Sequence, residues 1–566
     1  MRARLTLSFT LAFLVLAPAV ARAAATTALA QPAGAPVLVQ TPTTPLVNKP
    51  PAGYRLRPLQ VQRIAARSPV VIDELKSHPR LLPYEYTRGD GIWQVSWFTP
   101  PPDQKEMVQV YVDDATGQVT QAWTGFQVPW TMARGYPGAF GRIVNAWYIW
   151  LPMCLAFILP FLPWRRRPTW LLVDLLMLLG FSVSLAFFNR ADLGLSVPLM
   201  YPFMFYLLVR MILLAFGKGR PRRPLRLLVS PTLLTIGLVF LIGFRIGLNV
   251  TDSNVIDVGF AGVIGANKIL YGDKLYGGWP SDNPQGDTYG PINYYAYVPF
   301  TVVFGWSGLW DNLPAAHAAA IAFDLLTMLG LFLLGRMIRG PTLGLVLAYL
   351  WAAYPFTLFV LSSNSNDSLV ALFIVITLLV IRWAGPRGVA AGWAGLTKFA
   401  PLALGPLFLR GIGPPPGRSE VWRYVRAYVV AIALAMAPVV LSGNLAAFWR
   451  DTIAYQVGRS APFSIWGLYV GYWSGITIIQ HLVQGATIAM AIAVMFVPRR
   501  RGLLEVAALG AAVIIALQLS LTYWFYLYIP WFFPLVIVAL CLAHPAQEEV
   551  SESAEPALAH PAAVAV

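Results

Sequence analysis

The feature that most constrains this chain is a recurring one: apolar runs of about 20 residues, the length a helix needs to cross a bilayer. They fall near 142–163, 169–187, 197–216, 227–247, 314–337, 342–362, 367–383, 422–443, 474–497, 503–520 and 523–543. Of the 566 residues, 57% are apolar and 12% charged, whereas a soluble domain carries about 25% charged residues. A soluble globular fold is therefore excluded. The formal charge of +16 sits largely in short loops between apolar runs, as in Arg165–Arg167, Lys218–Arg226 and Arg499–Arg501. That distribution marks the cytoplasmic side of a membrane protein and argues against a nucleic-acid partner. Cys154 and Cys541 both lie inside apolar runs and supply neither a disulfide framework nor a metal site.

Met1–Ala23 has a basic start, the apolar run Leu5–Val20 and an Ala21-Arg22-Ala23 end. This is the form of a secretory signal peptide, or of an uncleaved anchor, and the segment after it is expected outside. An Ala-, Pro- and Thr-rich linker occupies 24–52. Residues 53–130 have the composition of a small α+β domain. Val61–His78 has helical spacing, Trp93–Phe98 and Met107–Val112 alternate as strands, and Asp113–Gly117 is a turn before Gln118–Gly125. One helix followed by a three-stranded meander with the hairpin "VYVDDATGQV" resembles the PepSY-type module, which implies a regulatory cap or a spacer.

With that domain outside, alternation puts Lys218–Arg226, Arg336–Arg339 and Arg382–Arg387 inside, and the long loop Thr251–Phe300 outside. Ala390–Leu409 breaks the alternation, being flanked by basic loops on both sides and interrupted by Gly395, Pro401 and Pro406. It is expected to form two short helices that dip in and return on the same side. The tail, 544–566, is acidic and expected to be cytoplasmic.

Candidate chemistry gathers on the external face: Asp252, Asp257, Asn366, Asp367, Arg459 and the aromatic run Tyr523–Trp531. Each has a plain alternative. Loop aspartates are ordinarily solvated, Asn364, Asn366 and Asp367 fit a helix cap, and the aromatics fit an interfacial belt. Asp324 and Lys398 lie within apolar runs, where each needs a partner or a polar cavity.

The stretches "NVIDVGFAGVIGANKILYGDKLYG", "DTYGPINYYAYVPF", "SNSNDSLVALFIV", "GWAGLTKFAPLALGPLFL", "QVGRSAPFSIWGL" and "YWFYLYIPWFFP" follow one another through 227–543. Together they resemble the GT-C class of polytopic glycosyltransferases, nearest glycosyltransferase family 87, the polyprenyl-phosphate-mannose-type mannosyltransferases. The resemblance implies an all-α polytopic bundle of roughly 11 to 13 transmembrane helices, with 141–226 as accessory helices and 544–566 as a tail. It implies an extracytoplasmic active face at the plasma membrane and a polyprenyl-phosphate-linked sugar as donor. The acceptor would be a lipid, glycan or protein hydroxyl, and no cofactor or metal is expected. The family's acidic base, an aromatic a few residues on and Gly-x-x-Leu-Tyr map to Asp257, Phe260, Gly272 and Leu275-Tyr276, with Asp252 as second candidate. Phe260 departs from the Tyr of many relatives.

Transfer with inversion needs one base and a group to stabilise the leaving phosphate. Arg459 is the first candidate for the phosphate because guanidinium binds phosphate bidentately, and Lys398 is the second. Tyr289, Asn293, Tyr294, Asn366 and Asp367 are candidates for lining the sugar or acceptor site. A lipid or small-molecule transporter would share the broken helices but should carry internal repeats, and no self-similarity is evident. A membrane sensor would use the exported domain as receptor and would not need the acidic loop.

Overall fold

The computed structural model describes residues 37–40, 48–89, 91–135, 140–163, 169–459, 461–470, 473 and 475–546. The signal peptide, most of the linker, the Arg165–Arg167 loop and nearly all of the tail lie outside the described residues. The N-terminal domain is an antiparallel five-stranded meander in the order β1 (Val37–Gln40), β2 (Leu82–Thr87), β3 (Ile92–Phe98), β4 (Glu106–Asp113) and β5 (Val119–Thr124). Its inward face presents Trp93, Val95, Trp97, Val108, Val110 and Val112 at every second position. Two helices, α1 (Pro58–Ala66) and α2 (Pro69–Ser77), cover that face through Val61, Ala65 and Val71.

The single helix expected over Val61–His78 is thus two, because Pro69 forces Ser68 into an extended conformation and starts a new helix at its own position. The meander is longer than expected by β1 and β2. Pro83 hides β2 in the sequence, yet it lies beyond the end of β1, where β2 has a free edge and needs no donor there. Asp113 closes the expected turn by accepting from the backbone and hydroxyl of Thr116 at 2.7 and 2.6 Å. Asp114 ties the domain together, accepting from Trp93 Nε1 at 2.8 Å and from the backbone of Arg55 and Leu56.

The remainder is helical. In chain order it runs α3 (Trp147–Ile158), α4 (Trp170–Phe188), α5 (Leu193–Ala215), α6 (Pro231–Thr251), α7 (Asp257–Tyr271) and α8 (Pro291–Phe304). Next come α9 (Pro314–Arg339), α10 (Pro341–Ala353), α11 (Pro355–Ser362), α12 (Asp367–Leu379), α13 (Ala384–Gly395) and α14 (Gly405–Arg410). The series ends with α15 (Arg418–Leu441), α16 (Ile476–Ala493), α17 (Leu503–Ser520) and α18 (Ile529–Ala543). Among the described residues, eight helices are long and apolar enough to cross a membrane: α4, α5, α6, α9, α15, α16, α17 and the last, from Tyr526. Lipid is the natural solvent for the outward sides of α6 and α15, which expose Leu233, Ile236, Val239 and Phe240, and Val429, Val430 and Leu434.

Three of the eleven apolar runs do not form straight full-length spans. The run near 342–362 bends by 59° between α10 and α11, where Pro355 holds Tyr354 extended. The run near 142–163 yields only Trp147–Phe161, with Pro160 in its last turn. The run near 367–383 stops at Leu379, and 13 residues rise only ~20 Å.

The basic loops converge on one end of the bundle. Arg339 donates to the carbonyl of His544, whose ring bonds the Arg223 carbonyl; Arg220 pairs with Glu505; Arg410 donates to the Arg499 carbonyl. The broken segment 390–409 does return on itself. Arg387, near the start of α13, reaches the Leu409 carbonyl at 3.4 Å and Glu420 at 3.3 Å. The tip of this hairpin, Leu396–Lys398, points to the opposite end.

Candidate active site

At that opposite end is a cavity of about 370 Å³, enough for a small ligand, lined by aromatic and charged side chains from nine separate stretches of the chain. The first segment comes directly after α6. Asn254 and Ile256 donate through the backbone to Ser362 and Ser363 at 3.1 and 3.2 Å. Asn364 donates to Ser253 Oγ and the Asn254 carbonyl, both at 3.0 Å, and accepts from Asn249 at 2.8 Å. Asn364 adopts φ +50°, a left-handed conformation that Asn tolerates. A Cβ on Gly259 would meet the Asn364 carbonyl oxygen at 2.2 Å, so glycine there lets the two segments touch. The result sets Asp257, first residue of α7, near Asp367, first residue of α12. Each carboxylate sits at a helix N-terminus, where the helix dipole favours negative charge.

A second close approach positions Lys398. The backbone N–H groups of Gly290 and Ile292 donate to Thr397 and Leu396 at 3.3 and 3.2 Å. A Cβ on Gly290 would lie 2.0 Å from the Leu396 carbonyl oxygen. Lys398 Nζ then donates to Asp367 Oδ1 at 2.5 Å and lies 5.3, 5.5 and 5.3 Å from the ring centres of Tyr289, Tyr528 and Trp531. Asp367 is fully engaged, accepting also from Trp531 Nε1 at 2.7 Å and Ser365 Oγ at 2.8 Å.

Asp257 is different. Its side chain is exposed by area because it faces the cavity, although protein surrounds it on every other side. Among the described residues, no side-chain donor bonds its carboxylate. Burial pushes its carboxyl above the usual carboxylate range, and Arg459, the Val258 backbone and Lys398 pull it back. Arg459 lies with its guanidinium carbon 3.7 Å from the centre of the Tyr523 ring, and no described carboxylate lies within ion-pair distance of it. Its Nε is buried without a hydrogen-bond partner. One carboxylate without a described side-chain donor and one cation without a described ionic partner thus share the same cavity. They can take a proton from a hydroxyl and hold an anion, respectively.

The sequence-derived candidates divide. Asp257, Tyr289, Asp367, Lys398 and Arg459 all line the cavity. Asp252 does not: it terminates α6, is 37% exposed and faces Arg142 at 3.8 Å. Asn293 accepts from Asn366 at 2.6 Å beneath the cavity floor, and both are buried. Tyr294 is also buried, where its hydroxyl donates to the Gly286 carbonyl at 2.7 Å and fixes the preceding loop. None of these three lines the cavity, although Asn293 Nδ2 and Asn366 Oδ1 are buried without hydrogen-bond partners. The run Tyr523–Trp531 is no interfacial belt, since Tyr523 and Tyr528 line the cavity, Trp531 holds Asp367, and Tyr526 bonds Ser184 and Ser196 inside the bundle. Sequence reading missed Trp130 and its neighbours Pro129, Thr131 and Met132, which form a further wall. The only signal there was a Pro-Trp pair at the domain boundary.

Fold and site together define a multi-pass helical membrane protein with a small α+β domain and one charged, aromatic cavity at the end away from its basic loops. No model of a known protein family matches the chain, and no curated protein matches it.

Proposed function

We propose that this protein is a membrane glycosyltransferase of GT-C type, moving a sugar from a polyprenyl phosphate to an acceptor hydroxyl. The observation that carries the reading is the meeting, across one cavity, of the Asp257 carboxylate, which no described side chain bonds, with the Arg459 guanidinium, which has no described ionic partner. On this reading the bundle has about 11 to 13 membrane passages, counting the bent and short apolar helices as partial crossings. The cavity faces the extracytoplasmic side of the plasma membrane, opposite the basic loops. A mannose-type donor is the expectation from the resemblance of 227–543 to family 87.

In the reaction, Asp257 removes the proton from the acceptor hydroxyl. The acceptor oxygen attacks the anomeric carbon from the face opposite the phosphate, and a new C–O bond forms as the sugar–phosphate C–O bond breaks. The electron pair leaves on the polyprenyl phosphate, whose charge Arg459 stabilises through paired N–H donors. Lys398 adds positive potential but is anchored by Asp367 and holds the floor of the site. The raised carboxyl of Asp257 suits a base working near neutrality, since its ionised form is a stronger proton acceptor than an ordinary carboxylate.

Membranes carrying the full chain are incubated with a panel of radiolabelled polyprenyl-phosphate sugars. Asp257→Asn is expected to reduce donor consumption by about 10²- to 10⁴-fold with unchanged donor binding, and Asp252→Asn to leave it near the parental rate. Parental transfer by Asp257→Asn sinks the proposal.

A further inference from the structure

We infer that the N-terminal sheet domain completes this site, with Trp130 acting as a positioning residue that holds the Arg459 guanidinium toward a phosphate-bearing ligand. The inference rests on the reading of the cavity as a phosphate-donor site. Among the described residues no carboxylate lies within ion-pair distance of Arg459, and aromatic rings bracket it instead. Its guanidinium carbon lies 3.7 Å from the centre of the Tyr523 ring, 5.4 Å from Trp130 and 5.6 Å from Tyr455. Stacking of this kind fixes the plane of a guanidinium while leaving its in-plane N–H donors available. Trp130 itself is wedged edge-on against Phe463 at 5.3 Å and lies 5.7 Å from Tyr523.

Of the described rings around Arg459, Trp130 is the one from outside the helical bundle. It lies on the strap that descends from β5, and the sheet domain makes that strap rigid. Arg134 donates to the Gln127 carbonyl at 2.9 Å, to the Val128 carbonyl at 3.2 Å, to Gln109 Oε1 on β4 at 2.5 Å and to the Tyr111 hydroxyl at 3.3 Å. Gln127 in turn donates to the Ala191 carbonyl between α4 and α5 at 3.4 Å. The segment that carries Trp130 is therefore tied both to the sheet domain and to the bundle. A strap that served only as a domain tether would not need to end on the one cation in the cavity that lacks a partner.

The test uses the full chain in nanodiscs, titrated with undecaprenyl phosphate and, as the uncharged control, undecaprenol. Trp130→Ala and Trp130→Leu are expected to weaken undecaprenyl phosphate binding about tenfold, the scale of losing one desolvated cation–π contact, while undecaprenol binding stays at the parental level. Trp130→Phe keeps a ring face and is expected to restore most of the affinity. Adding Trp130→Leu to Arg459→Ala is expected to cost nothing further. In transfer assays the loss should fall on donor KM, with kcat nearly unchanged. Should Trp130→Leu lower the thermal midpoint but bind undecaprenyl phosphate as the parent does, or should its effect add to that of Arg459→Ala, Trp130 is a packing residue and the inference fails alone. Should the parent bind the phosphate and the alcohol equally, the phosphate site itself fails, and with it the proposed function.

Discussion

Three aspartate–cation pairs are buried among the described residues, Asp174–Arg210, Asp324–Arg245 and Asp367–Lys398, and the surroundings of the last two differ in one respect. In the middle of the bundle, Asp324 takes a two-pronged grip from Arg245 at 2.6 and 3.1 Å and a third bond from Trp351 Nε1 at 2.8 Å. The remaining guanidinium donors reach the Ala352 carbonyl and Thr357 Oγ1. Each guanidinium nitrogen and both carboxylate oxygens thus have a partner, and neither residue lines the cavity. At the cavity, Asp367 and Lys398 are just as tightly matched, but across open space from them stand Asp257 and Arg459, each without an ionic partner. Burial of charge is common to both regions. What separates structural charge from candidate chemistry is whether hydrogen-bonding capacity remains unspent and faces a void.

The largest expected effect tests the structural side of this contrast. Asp324→Ala leaves the Arg245 charge buried and unpaired, and is expected to destabilise the protein by about 3–5 kcal/mol, read as a lowered thermal midpoint in detergent. Replacing both partners, Arg245→Met with Asp324→Leu, should recover most of that loss, because the pair serves only itself. If the double variant folds but loses transfer, the contrast is broken.

Gly290→Ala comes next. Its methyl group cannot coexist with the Leu396 carbonyl, so the hairpin tip must retreat and carry Lys398 with it. Transfer should fall by about 10- to 100-fold, as displacement of a positioned group by an ångström does, with a much smaller change in thermal midpoint.

The smallest effect is one of pH. Asp257 must be ionised to act, so transfer declines as pH falls through its raised pKa. The groups that face it are Arg459 and Lys398, which lower that pKa, and Asp367, which raises it. Arg459→Ala removes the strongest of the lowering charges, so the acid limb of the pH–rate profile should move to higher pH, beyond the drop in rate. An unmoved limb would mean that Arg459 does not face Asp257 across the cavity.

Much of this arrangement is legible in the chain, for identifiable reasons. Apolar length reports membrane passage directly, and it failed only where Pro160 and Pro355 intervene or where a run stops short at Leu379. The hairpin around Lys398 followed from basic loops on both flanks. Asp324 and Lys398 announced a need for partners, but not which ones: Arg245 lies 79 residues from Asp324, and Asp367 lies 31 from Lys398. Asn293, Tyr294 and Asn366 looked like ligand contacts because polar side chains near a site serve either to bind or to support, and sequence does not record which way they point. Trp130 gave no usable sign, since a tryptophan before a first span reads equally well as an interfacial anchor.

The sequence by itself determined that this chain is built on repeated membrane-length apolar runs, with its basic residues gathered in the short loops between them. Those are properties of composition and order, fixed by the cost of placing charge and unpaired backbone in hydrocarbon. Only the tertiary structure decided that Asp257 and not Asp252 faces the cavity, that Asp367 is used up by Lys398, and that the segment following the N-terminal sheet lends Trp130 to the same space. Such choices depend on contacts between residues far apart in the chain, where a glycine at 259 or 290 lets two backbones meet and a side chain turns either inward or away.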